Sequence, residues 1–566
     1  MTIDSNRPLI VQSDFTLLLE AHHPEFEQVR SVLSRFAELI KSPEPLHMYR
    51  ITPLSLWNAA YSGMRIEEIN SFLGSNAKFG LPFAVQSGIR KYMKRFGLLR
   101  LHKVGEELIL VSEDTVVLKE LIELETVHGY LGQTRGERAV SVPLAYRGLL
   151  KQELMKLGFP VDDRAGYRPC EHLAIDPLFK LRDYQAEAVD AFDLGEEGGS
   201  GVVVLPCGSG KTIVGIAAMV KLQCATLILT TNVTSIRQWK RELLEKTSLT
   251  EENVGEYNGT RKQVSPVTIA TYQILTHRSS KGGAFTHMHL FGERDWGLLI
   301  YDEVHLLPAP VFRMTAEIQA TRRLGLTATL IREDGHEEDV FSLIGPKRFE
   351  IPWKDLEGKG WLAEVSCKEI RVPLRSALRE EYGFADSKHK FRIAGENPYK
   401  LDVIDELVKC HRHEQILIIG QYLDQLRLIS TQTGAPMISG EMSQNEREHW
   451  FNLFRMREIP LLIVSKVANF AVDLPDAAVA IQVSGSYGSR QEEAQRLGRI
   501  LRPKAGTNQA VFYSITSQDT KEQEFAVKRQ LFLVEQGYKY EVIDWESFLQ
   551  EAGEHHEHHE LQAGIL

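Results

Sequence analysis

Two long stretches of the chain alternate short apolar runs with amphipathic ones. From about 180 to 350 the order is "GVVVLP", "KTIVGIAAMVKLQ", "ATLILTT", "IRQWKRELLEK", "VTIATY", "GLLIYDEVH" and "RRLGLTAT". A second series begins near 400 with "KLDVIDELVKC", "QILIIG", "LDQLRLIS", "PLLIVS", "AVAIQV", "QEEAQRLGRIL" and "QAVFYSIT". Continuous apolar runs of four to six residues read as strands buried on both faces, and the intervening 3.6-residue periodicity reads as helices. The pattern predicts an α/β fold with two tandem parallel-sheet domains, whose ligand sites lie beyond the carboxyl ends of the strands.

The first 170 residues look different. "EFEQVRSVLSRFAELIK" (25–41) and "LPFAVQSGIRKYMKRFG" (81–97) carry helical periodicity beside scattered short strands, which predicts small α+β accessory domains. Residues 375–397, "RSALREEYGFADSKHKFRIAGEN", are polar and weakly patterned, as an inserted helical excursion or linker would be. The resulting divisions are 1–110 and 111–175 for accessory domains, 176–365 and 401–540 for the two sheet domains, 366–400 for a linker with its insertion, and 541–566 for an acidic tail.

Length is consistent with this division, since 566 residues at roughly 100–200 per domain give three or four. No apolar run reaches the ~18–20 residues of a membrane span, and "MTIDSNRPLI" lacks the features of a secretory signal, so the expected location is cytoplasmic. Five cysteines with no C-x-x-C spacing read as reduced thiols. Net charge is −10, but residues 541–566 hold seven carboxylates and no Lys or Arg, leaving about −3 for the rest. Overall charge therefore does not exclude a polyanionic partner. The histidines of "EHHEHHE" (554–560) read as part of a solvated tail rather than as metal ligands.

"LPCGSGKT" (205–212) lies between a strand and a helix. Gly208 and Gly210 allow a tight turn, and Ser209 sits between them. The loop and the helix starting near Lys211 can aim N–H groups at phosphate oxygens. Lys211 would contact the β and γ phosphates and Thr212 would hold Mg²⁺. The pattern departs from the full phosphate loop at its first position, which is Leu205. "LLIYDEVH" is an apolar strand ending in two carboxylates. Asp302 would hold Mg²⁺ and Glu303 would orient and deprotonate an attacking water, as in-line phosphoryl transfer requires. His305 could be a structural cap, but its place two residues past the carboxylate pair favours a relay between hydrolysis and motion. In the second series, "QRLGRILR" (495–502) puts Gln495, Arg499 and Arg502 on one helical face. Arg499 and Arg502 would act as arginine fingers on the γ phosphate, worth about 10³–10⁵ in rate where the device occurs.

"GSGKT", "DEVH", "TAT" and "QRLGRILR", in that order, resemble motifs I, II, III and VI of superfamily 2 helicases, with two RecA-like lobes. "LRDYQ" (181–185) resembles their adenine-reading segment, in which the Gln185 amide would pair with adenine N6 and N7 and Arg182 or Tyr184 would pack the base. "GLTATLIREDG" and "GSRQEEAQRLGRILRPK" narrow the resemblance to the XPB-type DNA helicases, whose marker is an Arg-Glu-Asp trio, here Arg332, Glu333 and Asp334. It spans about 180–515; "PLIVQSDFTLLLE" resembles the family's amino-terminal region, and 111–175 would be its damage-recognition-like domain.

The resemblance implies ATP and Mg²⁺ as cofactors, 3′-to-5′ movement on duplex, forked or single-stranded DNA, and a repair or transcription-linked role. A nuclease or other repair protein is an implied partner, and a monomer the implied state. It assigns coupling to His305, Thr327 and Thr329, and strand separation to the trio. Phosphate contacts of a thumb-like insertion fall to Lys388, His389, Lys390 and Arg392. One departure is "SKVANFAVDLP", where Phe470 and Ala471 stand in place of a glycine and small polar residues; Asp473 still fits a ribose or interlobe role. Two rival readings are a superfamily 2 RNA helicase, against which the trio argues, and a nucleotide-gated DNA-binding scaffold, which would not need Glu303.

Overall fold

The computed structural model describes residues 6–42, 45–105, 107–192, 199–280, 285–319, 321–328, 337–465, 477–485 and 508–550. The chain divides into two compact units, Met1–Leu205 with Gly210–Ile351, and Pro206–Ser209 with Pro352–Leu566.

The first unit opens with two small modules. In the first, β1 (Leu9–Val11), β2 (Thr16–Glu20), β3 (Glu38–Lys41) and β4 (Leu46–Arg50) form an antiparallel sheet in the order β1-β2-β4-β3. The helix expected over 25–41 stops at Leu33. Phe36, fully buried against Phe72, turns the chain, and "ELIK" becomes β3. A short apolar run satisfies either period, and pairing with β4 decides it. The second expected helix forms as Phe83–Arg95.

A second sheet follows, of β5 (Leu99–Val104), β6 (Glu107–Ser112), β7 (Ala139–Val142) and β8 (Val161–Arg164), in the order β7-β6-β5-β8. Its first two strands precede residue 113, so this module begins earlier than the division at 110. Its helix Arg147–Lys156 packs closely on helix Ala309–Glu317, where a Cβ on Gly148 would lie 2.2 Å from the Ala316 carbonyl oxygen.

The rest of this unit is a seven-stranded, wholly parallel sheet. Its strands are β9 (Ser200–Val204), β10 (Thr226–Thr230), β11 (Val254–Tyr257), β12 (Val267–Thr271), β13 (Leu298–Asp302), β14 (Arg322–Thr327) and β15 (Lys347–Glu350), ordered β11-β12-β10-β13-β14-β9-β15. β9 (SGVVV), β10 (TLILT) and β12 (VTIAT) are buried at every position, as their lack of charged or large polar side chains allows.

The second unit repeats the architecture with β16 (Glu364–Val372), β17 (Ile416–Gly420), β18 (Met437–Ile438), β19 (Leu461–Ser465), β20 (Val479–Gln482), β21 (Gln509–Ser517) and β22 (Tyr540–Asp544). The order is β18-β19-β17-β20-β21-β16-β22, again parallel throughout. Two differences from the sequence reading stand out. β16 lies in the stretch assigned to a linker, paired along its whole length with β21. The presumed tail from 541 begins inside the sheet as β22, and Phe548 is buried with Ile543 in the core. Acidic composition hid both apolar anchors. Residues 375–397 hold two helices, Ser376–Phe384 and Ser387–Gly395, as the excursion predicted.

Inside this unit Lys400 and Glu522 form an ion pair with 0% and 1% side-chain exposure. Lys400 Nζ donates to both Glu522 oxygens at 2.8 Å and to the Val483 carbonyl at 2.7 Å, and the Ser517 N–H donates to Glu522 at 3.0 Å. Burial pulls the Lys400 ammonium down from its ordinary range, with Glu522 opposing.

Candidate nucleotide site

β9, β13 and β14 are neighbours in the first parallel sheet and end on the same edge. The phosphate loop therefore meets the two carboxylates although about ninety residues separate them. Gly210 is the N-cap of helix Lys211–Leu222 and has φ 85°, a left-handed conformation. A Cβ there would lie 2.6 Å from Gln185 Nε2, so glycine is required on both counts. Ser209 turns the loop back by donating its hydroxyl to the Pro206 carbonyl at 2.6 Å, and Gly208 is also left-handed, at φ 79°. Leu205 extends β9 by one residue. Its N–H donates to the Thr327 carbonyl at 3.0 Å and its side chain is fully buried, which accounts for an apolar residue at this position.

Lys211 Nζ lies 3.6 Å from Glu303 Oε1. Glu303 adopts φ 51°, ψ 55°, a backbone state costing a non-glycine residue about 1–3 kcal/mol and concentrated at functional sites. Its Oε2 is buried and accepts no hydrogen bond among the described residues, with His305 Nδ1 3.5 Å away. His305 Nδ1 in turn shares a 2.7 Å hydrogen bond with the Thr327 hydroxyl, both side chains being buried. A continuous path thus runs from Lys211 through Glu303 and His305 to Thr327, and from the Thr327 carbonyl back to the base of the phosphate loop.

Two aromatic residues that the sequence did not single out fix Asp302. Trp239 Nε1 donates to Asp302 Oδ2 at 2.9 Å, and the Tyr272 hydroxyl donates to the Asp302 carbonyl at 2.9 Å. In sequence both look like ordinary core aromatics. Trp239 fits only because residue 215 is glycine, where a Cβ would lie 2.6 Å from the indole. Burial, and secondarily the Glu303 charge, push the Asp302 carboxyl up to about 6; the Trp239 hydrogen bond and Lys211 oppose this.

The donors suit Mg²⁺. Asp302 and Thr212 offer hard oxygen, which Mg²⁺ takes alongside phosphate and water oxygens, and Asp302 Oδ2 is held in place by its indole partner.

Upstream, the Arg182 N–H donates to Gln185 Oε1 at 3.0 Å, which fixes the amide beside Gly210. Tyr184 is 1% exposed, so of the two side chains offered for packing a base only Arg182 reaches the surface. In the second unit, Asp386 caps the helix bearing Lys388, Lys390 and Arg392, and these capping bonds hold its carboxyl down to about 2. Lys388 is exposed, Lys390 lies over the Tyr382 ring, and Arg392 is engaged by Glu396 at 2.7 Å and Asp424 at 3.3 Å. Thr329, Arg332, Glu333, Asp334, Asp473, Gln495, Arg499 and Arg502 lie outside the described residues.

Family profiles match three segments: ERCC3/RAD25/XPB C-terminal helicase at 356–566, type III restriction enzyme res subunit at 178–332, and helicase conserved C-terminal domain at 9–135. A Kineococcus radiotolerans protein named DNA 3′-5′ helicase XPB is 52% identical over 541 residues, covering 95% of this chain and 96% of that protein. The chain belongs to the XPB helicase family. A Mycobacterium tuberculosis member with the same name is 51% identical, covering 96% and 98%. More distant is the XPB of Enterocytozoon bieneusi, named as the helicase/translocase subunit of general transcription and DNA repair factor IIH. It is 31% identical over 95% of this chain and 92% of its own. The XPB family match covers both parallel sheets and the two small modules alike.

Proposed function

We propose that this chain is an ATP-dependent DNA helicase or translocase of XPB type, moving 3′ to 5′ and serving DNA repair or transcription-linked DNA opening. The observation that carries the reading is the Lys211–Glu303–His305–Thr327 path, in a chain about half identical over nearly its whole length to proteins named DNA 3′-5′ helicase XPB.

In this reading the Gln185 amide and Arg182 select and pack adenine, while the loop 208–212 and Lys211 hold the β and γ phosphates. Asp302 and Thr212 would hold Mg²⁺, which would supply neutralisation of phosphate charge. Glu303 orients the attacking water and takes its proton at the buried Oε2, which has no hydrogen bond to give up among the described residues. Arg499 and Arg502 offset the charge that develops on the γ phosphate, Gln495 shares their face, and Asp473 serves the ribose. A change at Glu303 reaches β14 through His305 and Thr327, and from there Thr329 and the trio Arg332, Glu333 and Asp334. Lys388 and Lys390 contact DNA phosphates; Arg392, bound to two carboxylates, is the weakest of that set. A nuclease or other repair protein as partner, a monomeric state and a cytoplasmic location complete the proposal.

Phosphate release measured in parallel with single-stranded DNA, duplex DNA and RNA tests the substrate class, beside strand separation on 3′- and 5′-tailed duplexes. Stimulation by DNA with preference for the 3′ tail is expected; RNA stimulation equal to that by DNA overturns the proposal. Alanine at Arg332, Glu333 and Asp334 together should lower strand separation far more than DNA-stimulated hydrolysis, and equal losses would reduce the trio to support of the lobe.

A further inference from the structure

A cavity of about 330 Å³ lies in the first unit where its two small modules meet the parallel sheet, at the start of β9, the strand whose other end leads into the nucleotide loop. Its floor is apolar and aromatic, with Tyr61 and Phe96 from the first module, Met155 from the second and Phe341 from the part that carries the sheet; Met155 and Phe341 pack with the buried Trp57. The lining carries five cations (Arg147, Lys151, Arg164, Arg323 and Arg348) against two carboxylates, Asp162 and Asp163.

Both carboxylates are already engaged. Asp163 receives Arg147 through two hydrogen bonds of 3.0 and 2.8 Å and Lys151 at 2.9 Å, and Asp162 receives Arg164 at 2.9 Å. The buried Arg323 guanidinium donates to the main-chain carbonyls of Leu343, Gln319 and Thr321. Arg348 lies 4.4 Å over the Tyr61 ring and donates Nε to the Ser200 carbonyl at 2.8 Å. Its Nη1 is enclosed, with no hydrogen-bond partner among the described residues. That placement is built into the backbone. Residue 201 is a glycine with φ 152°, and a Cβ there would lie 2.4 Å from Arg348 Cγ. Burial alone pushes Arg348 down to about 10, and burial drives Lys151 down to about 8 against the opposing charge of Asp163.

We infer that this cavity binds a small phosphate ester, its phosphate on Arg348 and the neighbouring cations and its body over the aromatic floor. An enclosed guanidinium donor with no acceptor is costly unless an anion completes it. The volume is at the lower end for ligand cavities, room for about ten waters, which fits a sugar phosphate better than a bare phosphate or a dinucleotide. Because the floor draws on all three parts, the ligand would tie both small modules to the sheet.

Ribose 5-phosphate is titrated calorimetrically into the full-length protein, with the phosphate loop saturated by a non-hydrolysable ATP analogue. Saturable binding is expected, with Arg348→Gln weakening it about tenfold or more and Arg348→Lys less, while ATP hydrolysis without the ester stays unchanged. The ester should also raise the unfolding temperature of the unmodified chain. No saturable binding to that chain at millimolar ester, or equal binding to folded Arg348→Gln, overturns the proposal. So does Arg348-dependent binding confined to a 5′-phosphorylated duplex end, which would make the cavity a nucleic-acid contact.

Discussion

Thr327→Val isolates the link between hydrolysis and movement, because valine keeps the volume, the branched Cβ and the strand preference of threonine while deleting one hydroxyl. The side chain is fully buried, and its 2.7 Å bond to His305 Nδ1 is the step by which, in the proposed function, a change at Glu303 would reach β14. The backbone bond from Leu205 to the Thr327 carbonyl survives the substitution, so the phosphate loop keeps its support. A neutral hydrogen bond contributes about 0.5–1.5 kcal/mol, and a buried group left without its partner costs about 1–3 kcal/mol. A coupling energy of about 1–3 kcal/mol corresponds to roughly a 5- to 150-fold effect. The expected result is at least a fivefold loss of strand separation per ATP hydrolysed, with nucleotide affinity unchanged within about twofold. The assay pairs phosphate release with opening of a fluorescent duplex on the same DNA, beside nucleotide titration. If both rates fall in the same proportion, the hydroxyl only supports the lobe; if neither falls, the path through His305 carries nothing.

Lys211→Ala and Glu303→Gln should both abolish hydrolysis, but only the first should weaken nucleotide binding; equal loss of affinity in a binding titration would contradict the assigned roles. The Asp302 carboxyl, raised to about 6 from about 3.9 in an unfolded chain, takes up its proton earlier in the folded state. Its contribution to the stability of the metal-free chain therefore rises as pH falls from about 6 toward 4, which urea titrations at graded pH without Mg²⁺ check, and Trp239→Phe should move that midpoint upward. Lys400→Met should destabilise the second unit by about 3–5 kcal/mol in urea titrations, because Glu522 is left buried without its counter-charge, and adding Glu522→Leu should restore most of the loss. Removing 551–566 should leave unfolding unchanged, whereas a Phe548→Ala chain should lose about 3–5 kcal/mol as a core aromatic is deleted.

The central strands of both parallel sheets were legible because they are buried on two faces and written as largely apolar runs. That Lys211 would meet the Asp302–Glu303 strand end was legible because residues that follow parallel strands of one sheet share its carboxyl edge. What could not be read has a common cause: it depends on neighbours distant in the chain. "ELIK" satisfies a helix or a strand until β4 chooses. Trp239 is one of seven tryptophans until the fold brings it to Asp302. The acidic stretch from 541 resembles a solvated tail because five carboxylate-rich residues of β22 contribute a single buried side chain, Ile543, with Phe548 just beyond. Arg348 has no motif at all, and only Gly201, nearly 150 residues earlier, lets it lie where it does.

The position of β22 also sets an order of events on the ribosome. The first parallel sheet has all seven strands once residue 350 has emerged, so it can close while the rest of the chain is still being made. In the second, β16 is the earliest strand in sequence but is flanked by β21 and β22, the two latest. Until residues 509–544 arrive, its nine-residue run offers unpaired N–H and C=O groups on both sides, the kind of edge that recruits other strands. A nascent chain of this protein therefore passes through a stage with its first parallel sheet complete and an open strand waiting behind it. Interrupted synthesis between about 372 and 509 should yield fragments that keep the phosphate loop but aggregate through β16.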